Sequence, residues 1–238
     1  MEKLTLAIDV GGSGIKSMVL KADGTPHTQN LRVETPKPAK PEPVIAAIAD
    51  LANIHKEFNQ VSVGFPGVVR QGITKGAINL HPDWDNFDLG TVLYDRLGKP
   101  VRIANDADVQ GLAAIAGRGT ELVITLGTGF GSALFIDGRL VPNLELGQHQ
   151  FRSGDTYEDR LGQRAFDKVG QKLWNRRLNK AIDAIANLFN YDYLYIGGGN
   201  AKKIALKLPE NVKIVPNIFG LIGGLALWSS QLNHWEQS

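Results

Sequence analysis

Leu6-Ala7-Ile8-Asp9-Val10-Gly11-Gly12-Ser13-Gly14-Ile15-Lys16 is an apolar run broken by a glycine-rich turn, followed by Ser17-Met18-Val19-Leu20 and an Asp23-Gly24 turn. The pattern returns as Val123-Ile124-Thr125-Leu126-Gly127-Thr128-Gly129-Phe130-Gly131, then Ser132-Ala133-Leu134-Phe135-Ile136 and Asp137-Gly138. Two copies of strand, glycine loop, strand and Asp-Gly turn predict two lobes of common design. A loop of backbone N–H groups with no side chains in the way can cradle phosphate. Two such loops suit a nucleotide or another polyphosphate, so phosphoryl transfer is the leading expectation.

The kind of loop can be narrowed. A Walker A loop needs Gly-Lys-Ser/Thr leading into a helix, and a dinucleotide fold also needs a helix after the turn. Here both turns run on into strand-like segments, which predicts β-hairpin phosphate loops instead. Taken singly, either copy could be an ordinary hairpin. The repetition, and the acid Asp9 at the end of the first strand, argue against that.

The remaining chain alternates strand and helix signals. Thr35 to Pro43 carries four prolines and is expected to be extended or looped. Pro43 suits a helix start, with an apolar helix over Val44 to Ile54. Val61 to Gly67 reads as a strand entering a tight turn, and Asn79 to Asn86 as irregular. Val101 to Ala104 reads as a short strand ending at Asn105-Asp106, before an alanine-rich helix over Val109 to Ala116. In the second half come a polar loop (Asn143 to Thr156), a helical region (Tyr157 to Phe189) and a strand (Tyr193 to Ile196). The Gly197-Gly198-Gly199-Asn200 turn follows, then helices over Ala201 to Leu208 and Leu221 to Trp235. This alternation predicts an α/β fold with lobes at 1–107 and 108–221, a final helix (about 222–238) packing back onto the first.

Composition removes several function classes. The 238 residues hold 26 Lys+Arg against 24 Asp+Glu, a balance that argues against nucleic acid or a membrane surface. No cysteine is present, which excludes disulfides, thiolate metal sites and a cysteine nucleophile. The absence of a signal-peptide pattern or a long apolar run predicts a cytoplasmic protein.

Asp9 to Lys16 resembles the first phosphate motif of the ROK sugar kinases, within the actin and hexokinase superfamily. Leu126 to Gly131 is similar to their second phosphate motif, and Gly197-Gly198-Gly199 to their adenosine loop. Thr35-Pro36 to Pro43, Gly64-Phe65-Pro66-Gly67, and Asn79 with His81-Pro82-Asp83-Trp84 look most like the polyphosphate glucokinase branch. The resemblance implies a two-lobed actin-like ATPase (ribonuclease H-like) fold with an active-site cleft between the lobes, and a magnesium-dependent hexose kinase. It gives Asp106 the role of general base toward a sugar 6-hydroxyl, with Asn105 on a neighbouring hydroxyl. Read as residues alone, Asn105 and Asp106 equally suit a helix cap, although Asp108, directly before the apolar helix, is the expected cap.

Further roles follow from the same resemblance. Asp9 would organise Mg2+ through water. Gly11, Gly12, Ser13, Gly14, Lys16, Gly127, Thr128, Gly129, Gly131, Gly198 and Gly199 would face phosphate or nucleotide. On the sugar side stand Gly67, Asn79, Glu145, Gln148 and Glu158, with Gln148 where the family usually has histidine. Glutamine still offers a donor and an acceptor. The donor is expected to be polyphosphate, ATP or both; a polyanion would use a basic track among Lys37, Lys40, Lys75, Lys172, Arg176, Arg177 and Lys180. No structural zinc is expected, and a homodimer is. The alternatives are an ATP-dependent kinase for mannose, fructose or an amino sugar, and a sugar sensor of the same fold.

Overall fold

Alternating and continuous apolar runs in the amino-terminal half form one five-stranded sheet, and those of the second half form another with the same strand order. In the computed structural model, residues 3–77 and 79–229 are described. The chain divides into two units, Met1–Ala113 with Ile218–Ser238, and Ala114–Asn217. No helix among the described residues is long and apolar enough to cross a membrane.

The first unit contains β1 (Thr5–Val10), β2 (Ile15–Leu20), β3 (Leu31–Val33), α1 (Pro41–His55), β4 (Gln60–Phe65), β5 (Val68–Arg70), β6 (Ile73–Lys75), β7 (Phe87–Asp88), α2 (Leu89–Leu97), β8 (Val101–Asn105) and α3 (Asp106–Ala114). Its main sheet has the order β3-β2-β1-β4-β8, antiparallel across the two hairpins and parallel from β1 to β4 to β8. Helix α1 starts at Pro41, with proline in its first turn where the missing N–H costs nothing. Val44, Ile45, Ile48 and Leu51 recur at helical spacing and are buried against Leu6, Ile8, Val61 and Val63 of the sheet. The same helix buries His55, whose ring nitrogens meet the hydroxyls of Ser17 (3.0 Å) and Thr28 (2.9 Å).

The second unit contains β9 (Thr120–Leu126), β10 (Phe130–Ile136), β11 (Arg139–Val141), β12 (Gln150–Arg152), β13 (Asp155–Thr156), α4 (Tyr157–Leu161), α5 (Gln163–Phe189), β14 (Tyr193–Gly197) and β15 (Val212–Ile214). Its main sheet, β11-β10-β9-β14-β15, repeats the order and directions of the first. Trp174, Leu178, Ile182 and Ile185 of α5 lie buried against Leu122, Ile124, Leu194 and Ile196. Glu121, fully buried on β9, accepts from the backbone N–H groups of Ala116, Gly117 and Arg118 and from Tyr195 Oη. Burial, then that bond, push the Tyr195 hydroxyl up to about 12.

Several expectations need correction. The three-stranded sheet β5-β6-β7, helix α2 and strand β15 carry no clear sequence signal, being short or mixed in pattern. The polar loop over 143–156 contains the β12–β13 hairpin. Between 201 and 208 only Ala201–Lys203 is helical, as a 3-10 turn; Ile204, Leu206 and Leu208 then pack partly buried on the second core instead of lining a helix. Leu221 does not start a long helix: α6 (Phe219–Ile222) gives way to a 3-10 segment over Gly223–Trp228, and residues 230–238 lie outside the described residues.

This last segment packs on the first unit. Leu221 joins Ala7, Met18 and Leu20. Ser62 Oγ donates to Gly224 O (2.6 Å) and accepts from Trp228 Nε1 (2.9 Å). Close approach explains Gly223, where a Cβ would lie 1.7 Å from Val109 O.

Candidate active site

The first glycine loop joins β1 to β2, so Asp9 and Lys16 stand directly opposite each other across the hairpin. Lys16 Nζ lies 2.7 Å from Asp9 Oδ2, with the side chains 27% and 18% exposed. A carboxylate at the end of an apolar strand needs such a partner. Lys16, expected to offset phosphate charge, is thus engaged by Asp9 in this structure. The loop itself closes through Gly11 N–H to Gly14 O (3.0 Å). Thr35 Oγ1 donates to Gly11 O (2.5 Å) and Arg32 Nη2 to Ser13 O (3.1 Å).

Arg32 is absent from the sequence expectations. It lies on β3 in register with Lys16, which places two cations beside the loop. Only the pairing of β2 with the three-residue β3 reveals it.

Asp9 pairs with Gly64 on β4, and Gly64 pairs with Ala104 on β8. Asp9 and the start of α3 therefore lie two strands apart at the carboxyl edge of a parallel trio, about 10 Å at ordinary strand spacing. Asp106 is the first residue of α3 and is half-buried. Its Oδ1 accepts from Ala107 N–H (2.8 Å), and its Cα lies 3.4 Å from where a Cβ on Gly64 would stand.

Asn105 is the cap of this helix: its Oδ1 accepts from Ala107 N–H (2.8 Å) and Asp108 N–H (3.2 Å). That corrects the assignment of the cap to Asp108, which is buried inside the first turn. Asn105 Nδ2 also donates to Gly67 O (3.2 Å), tying the Gly64–Gly67 turn to the start of α3. A Cβ on Gly67 would come within 3.1 Å of Lys75 O and 3.2 Å of Ala77 Cα, so local packing is tight there. Asn79 is half-buried in the turn after Ala77. The following Pro82–Trp84 turn is anchored by Trp84 Nε1 donating to Ala39 O (2.8 Å), in the proline-rich segment.

In the second unit the glycine loop joins β9 to β10, and Gly127 N–H bonds to Gly129 O (3.1 Å). Its carbonyls are taken up from one side: Gln163 N–H reaches Gly127 O (2.9 Å), and Asn200 Nδ2 reaches the same oxygen (3.2 Å). Asn200 thus binds the Gly197–Gly199 turn to the glycine loop. Gly198 has φ +84° and would press a Cβ against Leu126 O, so it serves the fold. Gly127 and Gly199 differ: neither has a left-handed φ, and a Cβ on either would meet nothing within 4 Å. Among the described residues, nothing requires glycine at these two positions. Thr128 is exposed, Gly129 is half-buried, and Gly131 pairs with Thr125.

Glu145, Gln148 and Glu158 come together beside this loop. Glu158 Oε2 accepts from Phe130 N–H (3.1 Å) and lies 3.5 Å from Gln148 Nε2. Burial first, and the Glu158 charge second, raise the Glu145 carboxyl above its ordinary range. Gly147 sits where a Cβ would fall 2.1 Å from Phe130 O, fixing the turn that carries Gln148. His149 is exposed, its ring 6.4 Å from that of Tyr157. Among the described residues no group of three or more His, Asp or Glu could hold a metal by itself. His81 Nδ1 instead pairs with Asp83 (3.1 Å) within the Pro82 turn.

Comparison with known proteins gives consistent results. Residues 5–145 match the family model of the ROK family. A polyphosphate glucokinase from Mycobacterium tuberculosis (strain CDC 1551 / Oshkosh) is 34% identical over 91% of this chain and 88% of its own length. One from Mycobacterium leprae (strain TN) is 31% identical over 95% and 75%. Among solved structures, an inorganic polyphosphate/ATP-glucomannokinase from Arthrobacter sp. strain KM superposes with a TM-score of 0.87 at 34% identity, covering 94% of this chain and 97% of its own. A ROK family glucokinase from Streptomyces griseus shares the fold with a TM-score of 0.76 at 18% identity, covering 94% and 98%. The fold is that of the actin-like ATPase superfamily.

Proposed function

The chain belongs to the ROK family, and from that premise we propose that it transfers a phosphoryl group from inorganic polyphosphate, and also from ATP, to the 6-hydroxyl of glucose, giving glucose 6-phosphate. The observation that carries this reading is Asp106 at the carboxyl edge of the first sheet, fixed at the start of α3 by the Asn105 cap. The identity to polyphosphate glucokinases over nearly the whole chain supports the choice of donor and acceptor.

Asp106 accepts the proton of the attacking hydroxyl as the oxygen bonds to the terminal phosphorus and the bond from that phosphorus to its bridging oxygen breaks, releasing ADP or a polyphosphate one phosphate unit shorter. Asn105 positions that carboxylate and the Gly67 turn. Glu145, Gln148 and Glu158 bind sugar hydroxyls, and Asn79 is assigned the same role. The glycine loops at Gly11–Gly14 and Gly127–Gly131 hold the donor phosphates, with Gly198 and Gly199 beside the second. Gly127 leaves room for an oxygen to approach the backbone, and Lys16 and Arg32 bring positive charge to the first loop.

Asp9, partly exposed and paired with Lys16 through one oxygen, belongs to no group of three or more possible ligands among the described residues, which suits a Mg2+ ion completed by water and donor phosphates rather than a protein-only cage. Held by Asp9 through water, that ion would supply charge neutralisation on the donor. A cytoplasmic homodimer is part of the proposal on family grounds, and light scattering measures its mass.

The test incubates purified protein with magnesium, a hexose panel, and either polyphosphate or ATP, reading sugar phosphate by mass. Glucose 6-phosphate is expected from both donors. Asp106→Asn should cost about 10²–10⁴-fold in kcat while glucose still binds. Mannose phosphate would extend the acceptor range, as the name of the Arthrobacter relative suggests. No product from any pair would replace the kinase with a sugar sensor, Gln148 being its distinguishing residue.

A further inference from the structure

Four cations from three elements of the second unit surround one cavity. Arg152 comes from β12, Arg160 from α4, and Arg177 and Lys180 from α5; Phe151 and Ser153 complete the lining. The cavity measures about 200 Å³, several times the ~30 Å³ share of a single water. Arg177 and Lys180 stand three residues apart and so share a face of α5. Arg177 Nη1 donates to Arg160 O (3.4 Å), and Arg160 Nη2 to Arg152 O (3.5 Å), so backbone carbonyls help gather the guanidinium groups. Asp155 pairs with Arg160 Nε at 2.7 Å and is, among the described residues, the one acid paired with any of the four.

Among the described residues, one carboxylate pairs with this set of four cations, of which Arg160 and Arg177 are half-buried and Arg152 and Lys180 exposed. Like charges held close repel, and that cost falls when an anion enters. Guanidinium forks match phosphate oxygens in paired hydrogen bonds, and an ammonium adds a mobile point charge.

We propose that this cavity binds a phosphate group, at a site separate from the sugar-facing carboxylates. Helix geometry separates the two: Glu158 and Arg160 are two residues apart on α4, about 200° around its axis. Glu158 turns to Phe130 N–H, while Arg160 turns to Asp155 at the β12–β13 hairpin. The short helix α4 thus carries a sugar-side residue on one face and an anion-side residue on the other. The inference holds whichever hexose or donor the enzyme uses.

The phosphate can come from a polyphosphate chain or from a phosphorylated sugar, and the test separates these sources. Inorganic tripolyphosphate and glucose 6-phosphate are titrated separately by calorimetry into wild type and into Arg177→Gln/Lys180→Gln, with glucose and a non-hydrolysable ATP analogue present. The wild type should bind one of the two probes, and the double variant should bind it at least tenfold more weakly, with a shallower salt dependence. Tripolyphosphate binding identifies a polyphosphate segment, and glucose 6-phosphate binding a phosphorylated sugar. Equal affinity in both proteins, or no binding of either probe to wild type, overturns the site. Because the comparison is between two proteins, it reads the cavity even if the ATP analogue leaves the glycine loops open. Melting temperature and ATP-supported turnover should be unchanged in the variant; if it melts early, Lys180→Glu, at an exposed position, repeats the comparison.

Discussion

The glycine loops of the two units occupy the same place in sheets of the same order, but their flanking residues differ. Asp9 on β1 faces Lys16 on β2, whereas the corresponding positions on β9 and β10 hold Thr125 and Gly131. Beside the first loop, β3 adds Arg32. Among the described residues, the second loop has no such ion pair on its two strands; it is held by the start of α5, by Asn200 and by Glu158, which accepts from Phe130 N–H. Even the next parallel strand matches: Asp9 pairs with Gly64 and Thr125 with Gly197, and both glycines lead into tight turns. The repeated hairpin thus supplies two glycine loops, and the first of them lies between oppositely charged strand positions. Under the proposed function, the first loop would meet phosphate with charged side chains beside it, and the second with backbone groups.

The most severe way to break this asymmetry is to remove its charge. Asp9→Asn should lower kcat about 10²–10³-fold, in the range of losing one preorganised electrostatic contact, while Thr125→Val should stay near wild type; equal losses in steady-state assays would erase the distinction. A smaller effect separates glycines kept for ligand from those kept for folding. Gly127→Ala should leave the melting temperature unchanged, because its Cβ meets nothing, and raise KM for polyphosphate about tenfold, the loss of one charge-assisted hydrogen bond. Gly198→Ala, against Leu126 O, should instead lower the melting temperature.

The smallest effect concerns pH. Burial lowers the pKa of His55 below its ordinary 6.5, so the unfolded chain takes up this proton more readily than the folded one. Stability is then fully present above about pH 6.5 and declines as pH falls through the depressed folded value. The helix α5 that covers the second sheet buries no histidine. Hydrogen exchange at pH 5.5 should therefore loosen α1 and β2 before α5, and His55→Gln should remove that difference between the units.

Both hairpins are legible in sequence because apolar runs flank glycine turns, and Asn105-Asp106 is legible because a polar pair ends a short apolar strand. What sequence conceals depends on pairing in space. Strands of two or three residues, such as β3 and β7, are too short for periodicity to register. Arg32 becomes visible only through its register with Lys16, and the pairing of Lys16 with Asp9 only through the hairpin itself. The Asn105 cap is displaced from the expected Asp108 because α3 begins three residues before its apolar stretch. Arg152 and Arg160 join Arg177 and Lys180 only because the β12–β13 hairpin folds beside α5.

Gly223 and Gly224 lie 110 and 111 residues beyond Ala113, where the first stretch of their unit ends. During synthesis at ~5–20 residues per second, the 104 residues of Ala114–Asn217 take about 5–20 s to emerge. For that interval the face of the first sheet bearing Ala7, Met18 and Ser62 waits without its cover, while the second unit has all its own strands to hand. The nascent chain can finish its second sheet first, and the unit that starts earliest on the ribosome is the last to close.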